Sequence, residues 1–256
     1  MKIIISPAKK MNIDTDTMEV QELPAFLEET QKLMEWIKGL SFAEAKKLWA
    51  CNEKIASLNF DRFFSMDLHK NLTPALLSYE GIQYQYMAPK VFERGQWDYV
   101  QKHLRILSGF YGVLKPFDGV TPYRLEMQAK GAPQGYKDLY EFWGSALYDS
   151  LLSEEAQEGC EPFILNLASK EYSRCIEAYV QPPACFITCI FGELIDGRVV
   201  QKGTMAKMAR GEMVRYLAEY DIEEIGRIKE FDRLGYRFCE ERSREREFVF
   251  LKDSNI

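Results

Sequence analysis

The chain has 256 residues, a formal net charge of −6, 46% hydrophobic residues and 28% charged residues. Those proportions fit a soluble globular protein with room for a substantial core, and they give no general attraction for polyanions. The opening MKIIISPAKK has an apolar run of only three Ile, too short for a secretory signal, and no later segment approaches membrane-spanning length, so the cytosol is the expected compartment.

Lys2 to Ser6 reads as a short buried strand. Ser6-Pro7-Ala8-Lys9-Lys10 follows it, at a place where functional groups often sit. Lys9, its pKa lowered by neighbouring cations, would suit an amine nucleophile, although a solvated lysine pair explains the same letters. An amphipathic helix is expected over 22–39 from Leu23, Phe26, Leu27, Leu33, Trp36 and Ile37, with Gly39 as its stop. Ser41-Phe42-Ala43-Glu44 is a capping box that starts the next helix, and a further one is expected over 53–64. Leu76 to Met87, with Tyr79, Tyr84 and Tyr86, alternates as a strand broken at Gly81.

A helix is expected over 96–107, leading into Leu107-Ser108-Gly109-Phe110-Tyr111-Gly112. A helix ending in a glycine-bearing turn exposes backbone N–H groups to a phosphate, as in a helix-hairpin-helix element. A helix C-cap followed by a β-turn gives the same letters, and Pro116 makes an immediate second helix awkward. From 105 to 137, Arg105, Lys115, Arg124, Lys130 and Lys137 face only Asp118 and Glu126, a local surplus of three positive charges in an acidic protein.

The next expected helix covers 137–152, with Leu139, Phe142, Trp143, Leu147 and Leu151 on its core face. Phe163 to Leu167 is a strand, and Asn166-Leu167-Ala168-Ser169 sets its end against a helix N-terminus with Ser169 as N-cap, a position suited to an anion. Cys185 and Cys189 fall on one face of a strand, roughly 13 Å apart, and read as core residues. Strands 186–194 and 198–201 form a hairpin through Asp196-Gly197. In the helix over 204–220, Lys207, Arg210 and Arg215 fall on an arc apart from Met205, Met208, Ala209, Met213, Tyr216 and Leu217, giving a cationic outer face that is either functional or simply solvated. Strands over 236–239 and 247–251 close the chain.

Strands and helices alternate without an even βα rhythm. The expected fold is therefore α/β of α+β-like character, one domain over 1–256 with a mixed sheet flanked by helices. The six cysteines have no secretory context for a disulfide framework, and two isolated histidines give little support to a metal site. Neither a dinucleotide fingerprint, a Walker loop nor a nucleophile elbow is present, so no cofactor is expected.

Six motifs carry a resemblance: Ile3-Ile4-Ile5-Ser6-Pro7-Ala8-Lys9, the run from Leu104 to Pro116, Tyr123-Arg124-Leu125-Glu126-Met127, Leu139-Tyr140-Glu141-Phe142-Trp143-Gly144, Asn166-Leu167-Ala168-Ser169-Lys170-Glu171-Tyr172 and Ala209-Arg210-Gly211. In this order and spacing the chain resembles the YaaA family of bacterial peroxide-stress proteins. The resemblance implies a single domain of unusual topology with a positively charged cleft and a helix-hairpin-helix element, near 97–116 here. It also implies cytosolic binding of duplex DNA and protection against hydrogen peroxide, linked to limiting free intracellular iron. Lys9, Arg105, Ser108, Gly109, Gly112, Lys115, Arg124, Asn166, Ser169, Arg210 and Arg215 occupy matching motif positions.

The leading expectation is a double-stranded-DNA-binding protein whose basic cleft is built from 105–137 and 198–215, with Lys207 among its cations, contacting phosphates rather than base edges. The alternative is a glycosylase- or lyase-like repair enzyme with Lys9 as its nucleophile. Neither a membrane nor a protein partner is indicated.

Overall fold

Three isoleucines in a row leave a strand no solvent face, and β1 (Lys2–Ile5) accordingly lies inside the sheet with every residue buried. The computed structural model describes residues 1–157 and 162–252. After β1 come β2 (Lys10–Met11), α1 (Leu27–Lys38), α2 (Phe42–Trp49), α3 (Glu53–Ser65), β3 (Thr73–Pro74), α4 (Ala75–Ser78), β4 (Tyr79–Glu80), α5 (Ile82–Met87) and α6 (Arg94–His103). Then follow β5 (Leu104–Ser108), β6 (Gly112–Leu114), β7 (Gly119–Val120), α7 (Leu139–Trp143), α8 (Ala146–Gln157), β8 (Phe163–Leu167) and α9 (Lys170–Glu177). The chain continues through β9 (Cys185–Ile195), β10 (Arg198–Val200), α10 (Gly203–Glu219), α11 (Ile225–Ile228), β11 (Tyr236–Phe238) and β12 (Glu247–Lys252).

The main sheet runs β11-β12-β9-β8-β1-β5-β6, with β10 paired to β9. Strands β5, β1, β8, β9 and β12 are parallel, and β6, β10 and β11 are antiparallel, so the sheet is mixed as expected. From β1 the chain's next strand in this sheet, β5, is added on one side, whereas β8 lies on the other side and leads outward to β9. The carboxyl ends of β1 and β8 therefore flank a topological switch point, where open α/β sheets leave a crevice.

Locally signalled elements form where expected. Ser41 and Glu44 complete the capping box of α2, and Asp196 and Gly197 turn the β9–β10 hairpin with φ of 49° and 74°. Cys189 is buried and Cys185 partly so, both as free thiols; Cys160 lies outside the described residues. Helix α1 starts at Leu27 rather than near 22, because Glu22 instead bridges Asp118 in extended form. The 137–152 segment is two helices, broken at Gly144, where φ is +51°.

Two expectations are corrected. Residues 76–87 are mainly α4 and α5, not a broken strand; Gln83, Tyr84 and Met87 share one buried face of α5, against α10. Residues 104–108 are a strand, since the helix ends at His103, and the helix-hairpin-helix element expected near 97–116 is instead a helix followed by the β5–β6 strand hairpin. A short run buried on both sides carries no periodicity that separates helix from strand. The turn is closed from within: the Ser108 hydroxyl accepts from the amides of Phe110 and Tyr111 at 3.1 and 2.9 Å, so those donors are already used.

Beside this hairpin, burial pushes the Asp118 carboxyl up to about 7 although its Oδ2 accepts the Lys115 amide at 2.8 Å. The folded protein thus holds a proton that the unfolded chain releases near pH ~4, and ionisation costs stability progressively as pH rises from about 4 to about 7, with no further cost above. Asp118→Asn keeps an acceptor and removes this cost. Its melting temperature, relative to the parent, is expected to rise steadily across that window; a constant difference would refute the assignment.

Candidate functional site

A half-enclosed cleft of about 390 Å³ opens at the switch point. Ser6 reaches it from the end of β1 and Ser169 from the end of β8. The Ser6 hydroxyl accepts the Ser169 amide at 2.8 Å and donates to the Ser169 hydroxyl at 3.1 Å, which locks the two strand exits together. Tyr84 of α5 donates to the Ser6 carbonyl at 2.9 Å. Asn166, in β8, donates to Thr188 Oγ1 at 3.1 Å and accepts the Ala168 amide at 2.9 Å; it shapes the turn into α9 from within the core. Ser169 is the N-cap residue of α9 by position, but its side chain makes no capping bond there, being engaged by Ser6.

Five cations line the cleft, Lys9, Lys10, Arg124, Lys207 and Arg210, with three carboxylates, Glu80, Glu126 and Glu171. Lys10 pairs with Glu80 at 2.7 Å, and Glu126 is shared between Lys9 at 2.9 Å and Arg124 at 2.9 Å. Burial raises the Glu171 carboxyl above the usual carboxylate range, even though Glu171 accepts the Gln128 amide at 3.3 Å. Among the described residues neither Lys207 nor Arg210 has an ion pair. Arg210 Nε is buried with no hydrogen-bond acceptor, and burial lowers the guanidinium's affinity for its proton.

Helix packing puts those two charges there. A Cβ on Gly211 would lie 2.0 Å from the Gln83 carbonyl oxygen, so α10 crosses α5 at a separation only glycine allows. Lys207 and Arg210, three apart on α10, consequently face the cleft. The cationic arc expected on α10 is not an outer face, because Gly211 and Val214 lie within it and are buried. Arg215 falls outside the cleft and pairs with Glu219 at 2.6 Å.

The remaining expected residues are elsewhere. Arg105 and Lys115 border a separate cavity of about 460 Å³ that also contains Lys2 and Glu154. Arg105 is buried and ion-paired to Glu154, while Lys115 reaches Glu22 at 2.8 Å. Gly109 is packed so that a Cβ would meet the Leu125 carbonyl at 2.7 Å, and Gly112 adopts φ +75° against Leu147 and Trp143. With Ser108 these glycines build the hairpin under the cleft. Ser108 bonds the Tyr123 hydroxyl at 2.6 Å, and Tyr123 itself lines the cleft.

The structure thus brings Lys9, Arg124, Ser169, Lys207 and Arg210 together, and adds Ser6, Glu126 and Glu171, which sequence reasoning passed over. Each lies within a motif already noted, Ser6 three residues before Lys9, Glu126 two after Arg124 and Glu171 two after Ser169. Lys9 is 67% exposed, at the rim of the cleft, and its ammonium group is held by Glu126.

The sequence profile of the peroxide stress protein YaaA family matches residues 1–242. A UPF0246 protein of Lachnoclostridium phytofermentans is 55% identical, covering 100% of this chain and 98% of the relative. A UPF0246 protein of Agathobacter rectalis is 56% identical over 98% of both chains, and one of Pediococcus pentosaceus is 48% identical over 99% of this chain and 98% of the relative.

Proposed function

This chain belongs to the peroxide stress protein YaaA family, and on that footing we propose that it acts in cytosolic resistance to hydrogen peroxide by binding DNA through the cleft between β1 and β8. The observation that carries this reading is the pair of cations at the switch-point crevice, Lys207 and Arg210, that no carboxylate among the described residues neutralises. A cavity of about 390 Å³ holds a nucleotide-sized group rather than a double helix. The duplex is therefore engaged at a strand end or a displaced nucleotide, with few phosphates neutralised, instead of being followed along a broad basic groove. The link to limiting free iron belongs to the same proposal: DNA protected here is protected from the radicals that iron and peroxide generate.

Two phosphate contacts set the salt dependence. The slope of log K against log salt should be about −2, so affinity falls roughly tenfold between 50 and 200 mM salt. Lys207→Glu should weaken binding and flatten the slope by about 1. Anisotropy titrations with labelled duplex measure both, and salt-independent binding would reject the reading.

A further inference from the structure

Among the described residues Arg210 presents a buried Nε–H without an acceptor, an unfavourable state that an incoming oxygen relieves. Lys207, one turn earlier on α10, adds an exposed ammonium with no carboxylate partner among the described residues. Ser169 adds a third donor, since its hydroxyl oxygen accepts from Ser6 and its own proton stays free to donate. It stands at the start of α9, where the Tyr172 and Ser173 amides donate to the Ser169 carbonyl at 2.9 Å and the amides of Lys170 and Glu171, ahead of them, have no acceptor within the helix. This part of the cleft therefore consists of donors and cations, the complement of an oxyanion with several free oxygens.

The cleft also holds Glu171, a half-buried carboxylate with no cation bonded to it among the described residues, and buried Tyr84 and Tyr172. A carboxylate beside an anion seat serves as an acceptor for hydroxyl groups, as in sites that bind a ribose. An internal phosphodiester has one charge and must lead its chain both into and out of the cavity. A monoester has three free oxygens, a charge of about −1.5 to −2 at neutral pH, and one direction of exit. Two unneutralised cations in a half-enclosed cavity match the monoester.

We propose that the cleft seats a phosphate monoester carried on a pentose, with Arg210, Lys207 and Ser169 on the phosphate and Glu171 on a sugar hydroxyl. The ligand is either a free nucleotide or the 5′-phosphorylated end of a DNA strand. The inference rests on the reading of this cleft as the binding site.

The test compares short duplexes that differ only in a 5′-phosphate or a 5′-hydroxyl, together with thermal protection by AMP against adenosine, in the full-length protein and in Arg210→Met. The phosphorylated end should bind roughly tenfold more tightly or better, AMP and not adenosine should raise the melting temperature, and Arg210→Met should abolish both differences. If that variant misfolds, Lys207→Gln at the exposed position carries the same comparison. Equal affinity for the two ends, with no preference for AMP, overturns the monoester seat while leaving DNA binding intact. Protection by AMP that depends on Arg210, without binding to either duplex, upholds the seat and removes DNA as its ligand. Protection by ribose 5-phosphate equal to that by AMP assigns the recognition to the phosphorylated pentose and upholds the proposal.

Discussion

Gly211→Ala is expected to lower the melting temperature by roughly 4–12 °C and to weaken binding at the cleft. An alanine Cβ would stand 2.0 Å from the Gln83 carbonyl oxygen, 2.9 Å from its carbon and 3.0 Å from the Met87 amide nitrogen. All three obstacles are backbone, so no side-chain rotation relieves them, and α10 must move away from α5. Inside a helix alanine would otherwise gain about 1 kcal/mol over glycine. Overpacking of this severity outweighs that gain, with a net loss of about 2–3 kcal/mol, or roughly 2–4 °C for each kcal/mol in a domain of this size. Arg210 precedes the displaced residue directly, so the guanidinium leaves the cleft with it. Gly203→Ala is the control. It occupies the first turn of the same helix with nothing within 4 Å of its Cβ, and should be neutral or slightly stabilising. Thermal unfolding of both variants settles the matter, and equal midpoints would show that α10 does not need the close crossing.

Features whose cause lies within a few residues were legible in the sequence. The Ser41–Glu44 box and the Asp196-Gly197 turn each satisfy their own hydrogen bonds or φ values locally, and both stand where they were expected. The segments misread were those whose environment is tertiary. Leu104 to Ser108 is buried on every side, so its letters lack the alternation that would betray a strand. Tyr79 and Tyr84 suggested alternation but instead turn inward, Tyr79 bonding the Tyr123 hydroxyl at 2.9 Å. The site divides in the same way. Lys9, Arg124, Ser169 and Arg210 are recognisable from motifs, but their charge state is not. Glu126 neutralises Lys9 across more than a hundred residues of chain, and Glu22 does the same for Lys115 from far upstream. A local surplus of cations therefore overstated the positive surface. The two cleft cations without an ion pair among the described residues, Lys207 and Arg210, come from a helix whose basic arc was first expected to face outward.

Arg105→Ala should cost about 3–5 kcal/mol, the largest loss expected from any of the basic positions singled out in the sequence. Arg105 is 3% exposed, and its guanidinium donates through Nε to Glu154 at 2.9 Å and through Nη1 to the carbonyls of Gln101 and Leu104 at 3.0 and 2.6 Å. Among the described residues, removing it leaves the Glu154 carboxylate with only the longer contact to Lys2 at 3.5 Å and takes a donor from two carbonyl oxygens at the base of the sheet, and losing one partner of a buried ion pair costs far more than the pair contributes when intact. Lys115→Ala breaks only a partly exposed bridge to Glu22 and should cost less than about 1 kcal/mol. Urea unfolding separates the two. Binding then decides between scaffold and interface: because Arg105 borders a different cavity from Arg210, the folded fraction of Arg105→Ala should bind DNA as the parent does, while Lys207→Glu at full stability should not. A stable Arg105→Ala protein that has lost DNA would move the interface to the far cavity and reverse this assignment.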